Sequence, residues 1–235
     1  MSTHTKFLAI ILAFLPLGLL SQNMVLHQAL YCARIQVRWQ MTSSWTLQAE
    51  AENRRFMAPS EEQQLFFTQL FATYQSKASV GVLYGDLNAQ VPHAKKPSAE
   101  LYEIRPWQSY TQPLGKWGKW TFSSRLRVEE RLFFQPDAPE KSAQKRSALR
   151  GRFQVQARRL ITSHWTGFCS EELFVQTGRT IEHGFDQNRV LVGLEYRLNK
   201  LLNLEGSYTF WWQLRQTGSV VYDRDLLRVT LGVRI

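Results

Sequence analysis

Cysteine is scarce in this chain: Cys32 and Cys169 are the two, far apart and without a CxxC pair. That excludes a disulfide scaffold and a zinc module built on cysteine pairs. Long apolar runs are missing beyond the amino-terminal segment. A bundle of membrane helices, each needing about 20 consecutive apolar residues, is therefore excluded too. Acidic residues are the third shortage, with Asp plus Glu at 19 against 29 for Lys plus Arg, a formal net charge of +10 over 235 residues. At 13% aromatic, with 8 Trp, the chain is too rich in large apolar side chains for a disordered polymer. Its length fits one domain or two small ones. A basic excess of this size first raises nucleic-acid binding.

The amino terminus argues otherwise. Lys6 precedes an apolar stretch from Phe7 to Leu20, interrupted by Pro16 and Gly18. A positive residue before about 7–15 apolar ones is the pattern of a secretory signal. Polar Ser21, Gln22 and Asn23 end the run too early for a membrane anchor. The expectation is a cleaved signal peptide over 1–22 and an exported bacterial domain over 23–235. Ala29-Leu30-Tyr31 lacks the small residue expected before a lipid-modified cysteine at Cys32. An exported protein has little occasion to meet DNA, so no nucleic-acid partner is expected.

The rest of the chain alternates with a period of two, the mark of half-buried strands. Leu227, Val229, Leu231, Val233 and Ile235 oppose Arg228, Thr230, Gly232 and Arg234. Phe122, Leu126, Val128, Leu132 and Phe134 oppose Arg125, Arg127, Glu129 and Arg131. The same holds for Tyr31–Trp39, for the run from Leu149, for Val190–Tyr196 and for Leu202–Trp212. The parity of Leu65–Tyr74 and of Trp165–Gln176 stays open. Several runs reach about 10 residues, longer than the mode of about 5–6 in soluble sheets and close to the 9–11 that cross a bilayer.

Connections alternate as well. Short turns are read at Met41–Ser44, Gln75–Lys77, Gly115–Lys119, Ile161–His164 and Asn199–Leu201. Longer polar loops are read at Arg54–Gln63, Asp86–Ala99, Gln135–Ser147, Thr177–Asp186 and Arg215–Arg224. Short turns at one end and long loops at the other are how outer-membrane barrels are built. Trp39, Trp45, Tyr74, Trp117, Trp120 and Trp165 gather at the short turns, with Trp211 and Trp212 toward the opposite rim, as aromatic girdles do. The fold class expected is all-β: a transmembrane antiparallel up-and-down barrel of about 10–12 strands. The segments number about eleven, and because bacterial single-chain barrels are even-numbered, twelve is preferred over ten.

Three stretches occur in a telling order: Glu103-Ile104-Arg105-Pro106-Trp107-Gln108, then Arg125–Arg131, then Phe185-Asp186-Gln187-Asn188-Arg189 with Gly193–Leu198. Together they resemble the bacterial outer-membrane barrel family called domain of unknown function 2490, common in the Bacteroidota. The resemblance spans about Tyr31 to Ile235. It implies an outer-membrane location and a barrel architecture, and it supplies no biochemical activity. Ile104 stands where the family usually has His or Tyr, and Ile235 stands where such barrels usually end in an aromatic.

With apolar residues facing lipid, Arg34, Arg38, Arg125, Arg127, Arg131, Arg150, Arg152, Arg158, Arg189, Arg197, Arg228 and Arg234 face the lumen. Glu50, Glu52, Glu129, Glu195 and Glu205 share that side. The reverse assignment would cost about 2–4 kcal/mol for each arginine near the bilayer midplane. Two roles follow: a lumen filled by interlocked Arg and Glu, or a narrow passage favouring anions. About 8 strands leave a filled interior and 16 an aqueous channel, so strand number alone does not choose. Expected partners are outer-membrane lipid and the barrel-insertion machinery.

Candidate chemistry is thin. His27, His93, His164 and His183 lie in no sequential nucleophile–base arrangement. His183, Asp186, Asp223 and Asp225, read as outer-loop residues, are the alternative: a barrel enzyme acting on lipid or peptide. No catalytic residue, cofactor or metal is otherwise expected. Arg105-Pro106-Trp107 is read as a bulge or edge device, because proline cannot donate to a ladder, with a ligand role as the alternative.

Overall fold

A computed structural model describes residues 24–57, 63–87, 101–134, 144–178, 181–214 and 220–235, with the backbone alone at 63–64, 87, 101, 144–146 and 181–183. The strands are β1 (Met24–Gln40), β2 (Trp45–Phe56), β3 (Gln63–Tyr74), β4 (Ala78–Leu87), β5 (Leu101–Trp117) and β6 (Trp120–Phe134). They continue as β7 (Gln144–Leu160), β8 (Trp165–Gly178), β9 (Ile181–Arg197), β10 (Leu202–Leu214) and β11 (Val220–Arg234). Sequence neighbours pair antiparallel, and β1 closes the ring on β11. Closure leaves no free sheet edge among them.

The closing pair is parallel, running from Met24↔Val220 to Arg38↔Arg234. An odd number of up-and-down strands leaves the first and last pointing the same way, so no antiparallel closure is available. This corrects the preference for twelve strands. The segment at Tyr31–Trp39 needs no partner before it, because its own strand extends back to Met24 and meets the last strand directly. As a result β1 starts at the rim of the long connections. Ile235 lies at the short-turn rim, where its carbonyl accepts from the Gln40 amide at 3.2 Å.

Three of the short turns share one design. Thr42 Oγ1 accepts from the amides of Ser44 and Trp45, Thr162 Oγ1 from those of His164 and Trp165, and Asn199 Oδ1 from those of Leu201 and Leu202. A side-chain oxygen thus satisfies the turn amides and fixes hairpin register. The β3–β4 turn is different: Gln75 and Ser76 both take positive φ, at 47° and 56°. They are the two central residues of a tight turn in which the Lys77 amide donates to the Tyr74 carbonyl at 2.9 Å, and left-handed residues there suit the strand twist although neither is glycine.

Strands run further into the long-loop end than their sequence pattern shows. Arg54 belongs to β2 and Arg224 to β11, and the connection read at Thr177–Asp186 is mostly strand, since β8 ends at Gly178 and β9 begins at Ile181. The β8–β9 register slips between Phe174↔Gln187 and Val175↔Phe185. Asp186 is the extra residue. Such a bulge re-aims a side chain, and Asp186 and Gln187 are both buried, at 2% and 1% exposure. At Arg105-Pro106-Trp107 there is no bulge. The β5–β6 ladder skips Arg105 and Pro106 but keeps one register, from Ile104↔Leu132 to Trp107↔Glu129, and shifts only between Pro113 and Gly115.

Candidate functional site

The barrel wall sorts side chains by parity. Outside, every strand presents exposed apolar or aromatic groups, among them Ile35, Trp45, Leu70, Val82, Ile104, Leu126, Phe153, Val175, Val192, Phe210 and Val229. At the short-turn rim the outer aromatics meet in pairs, Trp45 with Tyr74 at 5.0 Å and Trp165 with Tyr196 at 4.7 Å between ring centroids.

Inside, charge predominates. Glu52 is 1% exposed and receives Arg34 at 2.5 Å and Arg54 at 2.6 Å. Glu103 receives Arg131 at 2.6 Å and Arg105 at 2.8 Å. Glu129 is the hub of the opposite wall, with Arg150 at 2.5 Å, Arg152 at 2.6 Å, Arg105 at 3.6 Å and Arg127 at 3.7 Å. Glu172 accepts from Arg152 and Arg125, both at 2.9 Å, and Asp186 reaches Arg150 at 3.6 Å. These links tie β5, β6, β7, β8 and β9 into one network. Near the short-turn rim Arg158 pairs with Glu195 at 2.7 Å, and at mid-strand Arg228 pairs with Glu205 at 3.4 Å. Glu50 is buried and accepts amide hydrogen bonds from Gln36, Gln48 and Gln69, while Arg38 donates to Gln48. Arg197 and Arg234 follow the inward parity of their strands and are exposed at the same rim.

The β3–β4 wall carries none of this charge. Its inward side chains include Phe67, Gln69, Phe71, Thr73, Ser79 and Leu83. Two indoles also turn inward, Trp107 and Trp211, each 4% exposed. The girdle position expected for Trp211 is therefore wrong: Trp212 faces out and Trp211 faces in. Arg127 covers Trp107 at 3.8 Å, while Arg189, Arg224 and Arg54 surround Trp211 at 4.1, 4.5 and 5.1 Å.

These walls enclose a cavity of about 790 Å³. Its lining reaches Gln40 and Ser76, exposed at the short-turn rim. Toward the long-loop end the inward layer is packed: Leu30, Phe133 and Phe174 are at most 2% exposed, and Leu30, Cys32, Phe56, Trp211 and Leu226 form a single apolar cluster.

The candidate catalytic residues whose side chains are described do not converge. Asp186 is inside the barrel, whereas Asp223 and Asp225 lie on the outward parity of β11, with Asp223 2.9 Å from His27. Of His183 only the backbone is described, and His93 and the expected signal peptide lie outside the described residues. Among the described residues no three His, Cys, Asp or Glu side chains come together in a way that could hold a metal.

Sequence parity missed Arg54, Glu103, Arg105, Glu172, Asp186 and Arg224. For Arg54 and Arg224 the signal was present, since Glu50-x-Glu52-x-Arg54 and Arg224-x-Leu226-x-Arg228 simply continue the alternation. Asp186 was not reachable, because the bulge breaks its parity.

A family model described as Protein of unknown function (DUF2490) matches residues 33–222, which run from β1 into β11. No curated protein matches the chain. With the match covering most of its length, the chain belongs to the DUF2490 family.

Proposed function

We propose that this chain is a non-enzymatic barrel of the bacterial outer membrane, with walls cross-braced by arginine and glutamate and an interior closed toward the long-loop end. One observation carries the reading: exposed apolar side chains ring the outside of every strand while paired ions and packed aromatics occupy the inside. A continuous apolar surface of that extent marks a contact with lipid or protein rather than water. Bilayer lipid is the partner of the belt, and the barrel-insertion machinery is the partner of the chain during assembly. The packed layer at the long-loop end favours a structural role over an open pore.

A narrow anion-favouring passage is the second reading. It is favoured by arginines that outnumber carboxylates along the cavity wall, since basic linings select anions. Planar-bilayer recording separates the two. The braced barrel gives no steady conductance, whereas small steps with chloride preferred over potassium would establish the passage. Heat-modifiable migration and retention in membranes at high salt are expected; release by salt would overturn the membrane location. A hydrolase activity abolished by His183→Ala would overturn the non-enzymatic reading.

A further inference from the structure

Inside the barrel the ions are not evenly matched. Arg34, Arg131 and Arg152 each face a carboxylate at hydrogen-bond distance. Around Trp211 the pattern is different. Arg189 donates to Gln187 Oε1 at 3.0 Å, and Arg224 donates to the side-chain carbonyls of Gln28 and Gln213. Both find neutral amides where their neighbours find anions. Arg54, the third cation on that ring, shares Glu52 with Arg34 and leaves its Nε–H without an acceptor. Three guanidinium groups therefore converge on one indole, Arg189 and Arg224 without a paired carboxylate and Arg54 with one that it shares with Arg34. Buried cations ordinarily require an anion.

A second observation points the same way. Several buried donors in this region have no acceptor among the described residues: Trp211 Nε1, Arg54 Nε and Thr209 Oγ1, each on a residue at most 5% exposed. Buried indole N–H groups usually find a partner. These three residues line the cavity together with Arg189 and Arg224. Across the ring, the β3–β4 wall offers Phe67, Phe71 and Leu83 to the same space. One wall is thus cationic and donor-rich, and the other is uncharged, with Phe67, Phe71 and Leu83 as its apolar part. A volume of about 790 Å³ holds a small organic molecule rather than a bare ion.

We propose that the barrel interior is a binding site for a small amphipathic anion, its carboxylate or phosphate head held by Arg189, Arg224 and Arg54 beside Trp211 and its apolar body against the β3–β4 wall. Guanidinium recognises both kinds of head through paired charge-assisted hydrogen bonds. Entry is from the short-turn rim, where the cavity lining is exposed. The inference goes beyond the membrane location and stands on interior contacts alone.

Calorimetric titration of the folded full-length barrel in detergent micelles tests it. Probes are naphthoate, naphthyl phosphate, the neutral naphthamide and inorganic phosphate, with empty micelles subtracted. At least one organic anion is expected to bind saturably at one site, and whichever binds tighter identifies the head. Arg189→Gln and Arg224→Gln each weaken it about tenfold or more, the loss of one charge-assisted contact, while Arg234→Gln at the rim leaves it unchanged. Trp211→Phe, which keeps a ring and removes the N–H, also weakens it and serves where an arginine variant fails to fold. Saturable binding of neither anion, equal binding of the amide, equal binding of inorganic phosphate, or indifference to the Arg189 and Arg224 substitutions would each overturn the proposal.

Discussion

Arg127 lies over the Trp107 indole with its Cζ 3.8 Å from the ring centroid, and that indole in turn packs against Phe71 at 5.1 Å. The stack exists because residue 81, on the strand beside it, is glycine. A Cβ at Gly81 would come within 2.8 Å of Trp107 Cζ2 and closer still to Phe71. Gly81→Val is expected to displace Trp107 and cost about 1–3 kcal/mol through overpacking. Gly206→Ala, where a Cβ meets nothing within 4 Å, is the neutral control. Thermal transitions of the heat-modifiable band measure both; equal transitions for Gly81→Val and the parent protein would refute the packing.

Glu129 serves four arginines at once, Arg150, Arg152, Arg105 and Arg127. Removing its charge takes from buried Arg127 its carboxylate partner and leaves Arg150 only Asp186 at 3.6 Å, so Glu129→Gln is expected to destabilise by about 3–5 kcal/mol. Glu130, one residue on, faces outward and is exposed. Glu130→Gln is expected to cost far less. Urea unfolding of the two variants compares them, and similar losses would mean that parity does not govern this strand.

This network was only partly legible in the sequence. Alternation identified Glu129, Arg150 and Arg152 because their strands carry clean polar and apolar faces. It failed on β3 and β8 because the interior there accepts aromatics: Phe67, Phe71, Phe168 and Phe174 face inward, so both faces read as apolar. Glu172 was lost with that parity. Strand number was obscured by a general rule. Even counts follow from antiparallel closure, and nothing in the alternation of β1 or β11 reveals that they pair parallel. The turns at Thr42 and Thr162 were placed correctly, since Trp and polar residues mark them, but their shared side-chain caps emerged only from geometry.

Those caps give a third prediction. Each threonine hydroxyl accepts two turn amides. Thr42→Ala and Thr162→Ala are each expected to cost about 1 kcal/mol, additively because the turns are separate, and to raise amide hydrogen exchange at Trp45 and Trp165 respectively. Unchanged exchange would show that the turns hold without their caps.

The two thiols report the sidedness of the wall. Cys32 is buried among Leu30, Phe56, Trp211 and Leu226, whereas Cys169 is exposed on the outward face of β8. An apolar maleimide is expected to label Cys169 in the folded barrel and Cys32 only after unfolding. Mass spectrometry reads the site, and rapid labelling of Cys32 in the folded state would contradict the packed layer.

Cross-linking of the seam between β1 and β11 is the most direct test, because that parallel pair fixes the strand number, the rim at which β1 starts and the enclosed interior. In a Cys32→Ser, Cys169→Ser background, two cysteine pairs are introduced, Tyr31 with Leu227 and Ile35 with Leu231, both directly opposite in the register. A parallel seam predicts that both pairs oxidise to intramolecular disulfides in the folded protein, seen as a reduction-sensitive shift on a denaturing gel. Formation of neither, or of one without the other, would contradict the eleven-stranded closure and with it the arrangement of the arginine-lined cavity.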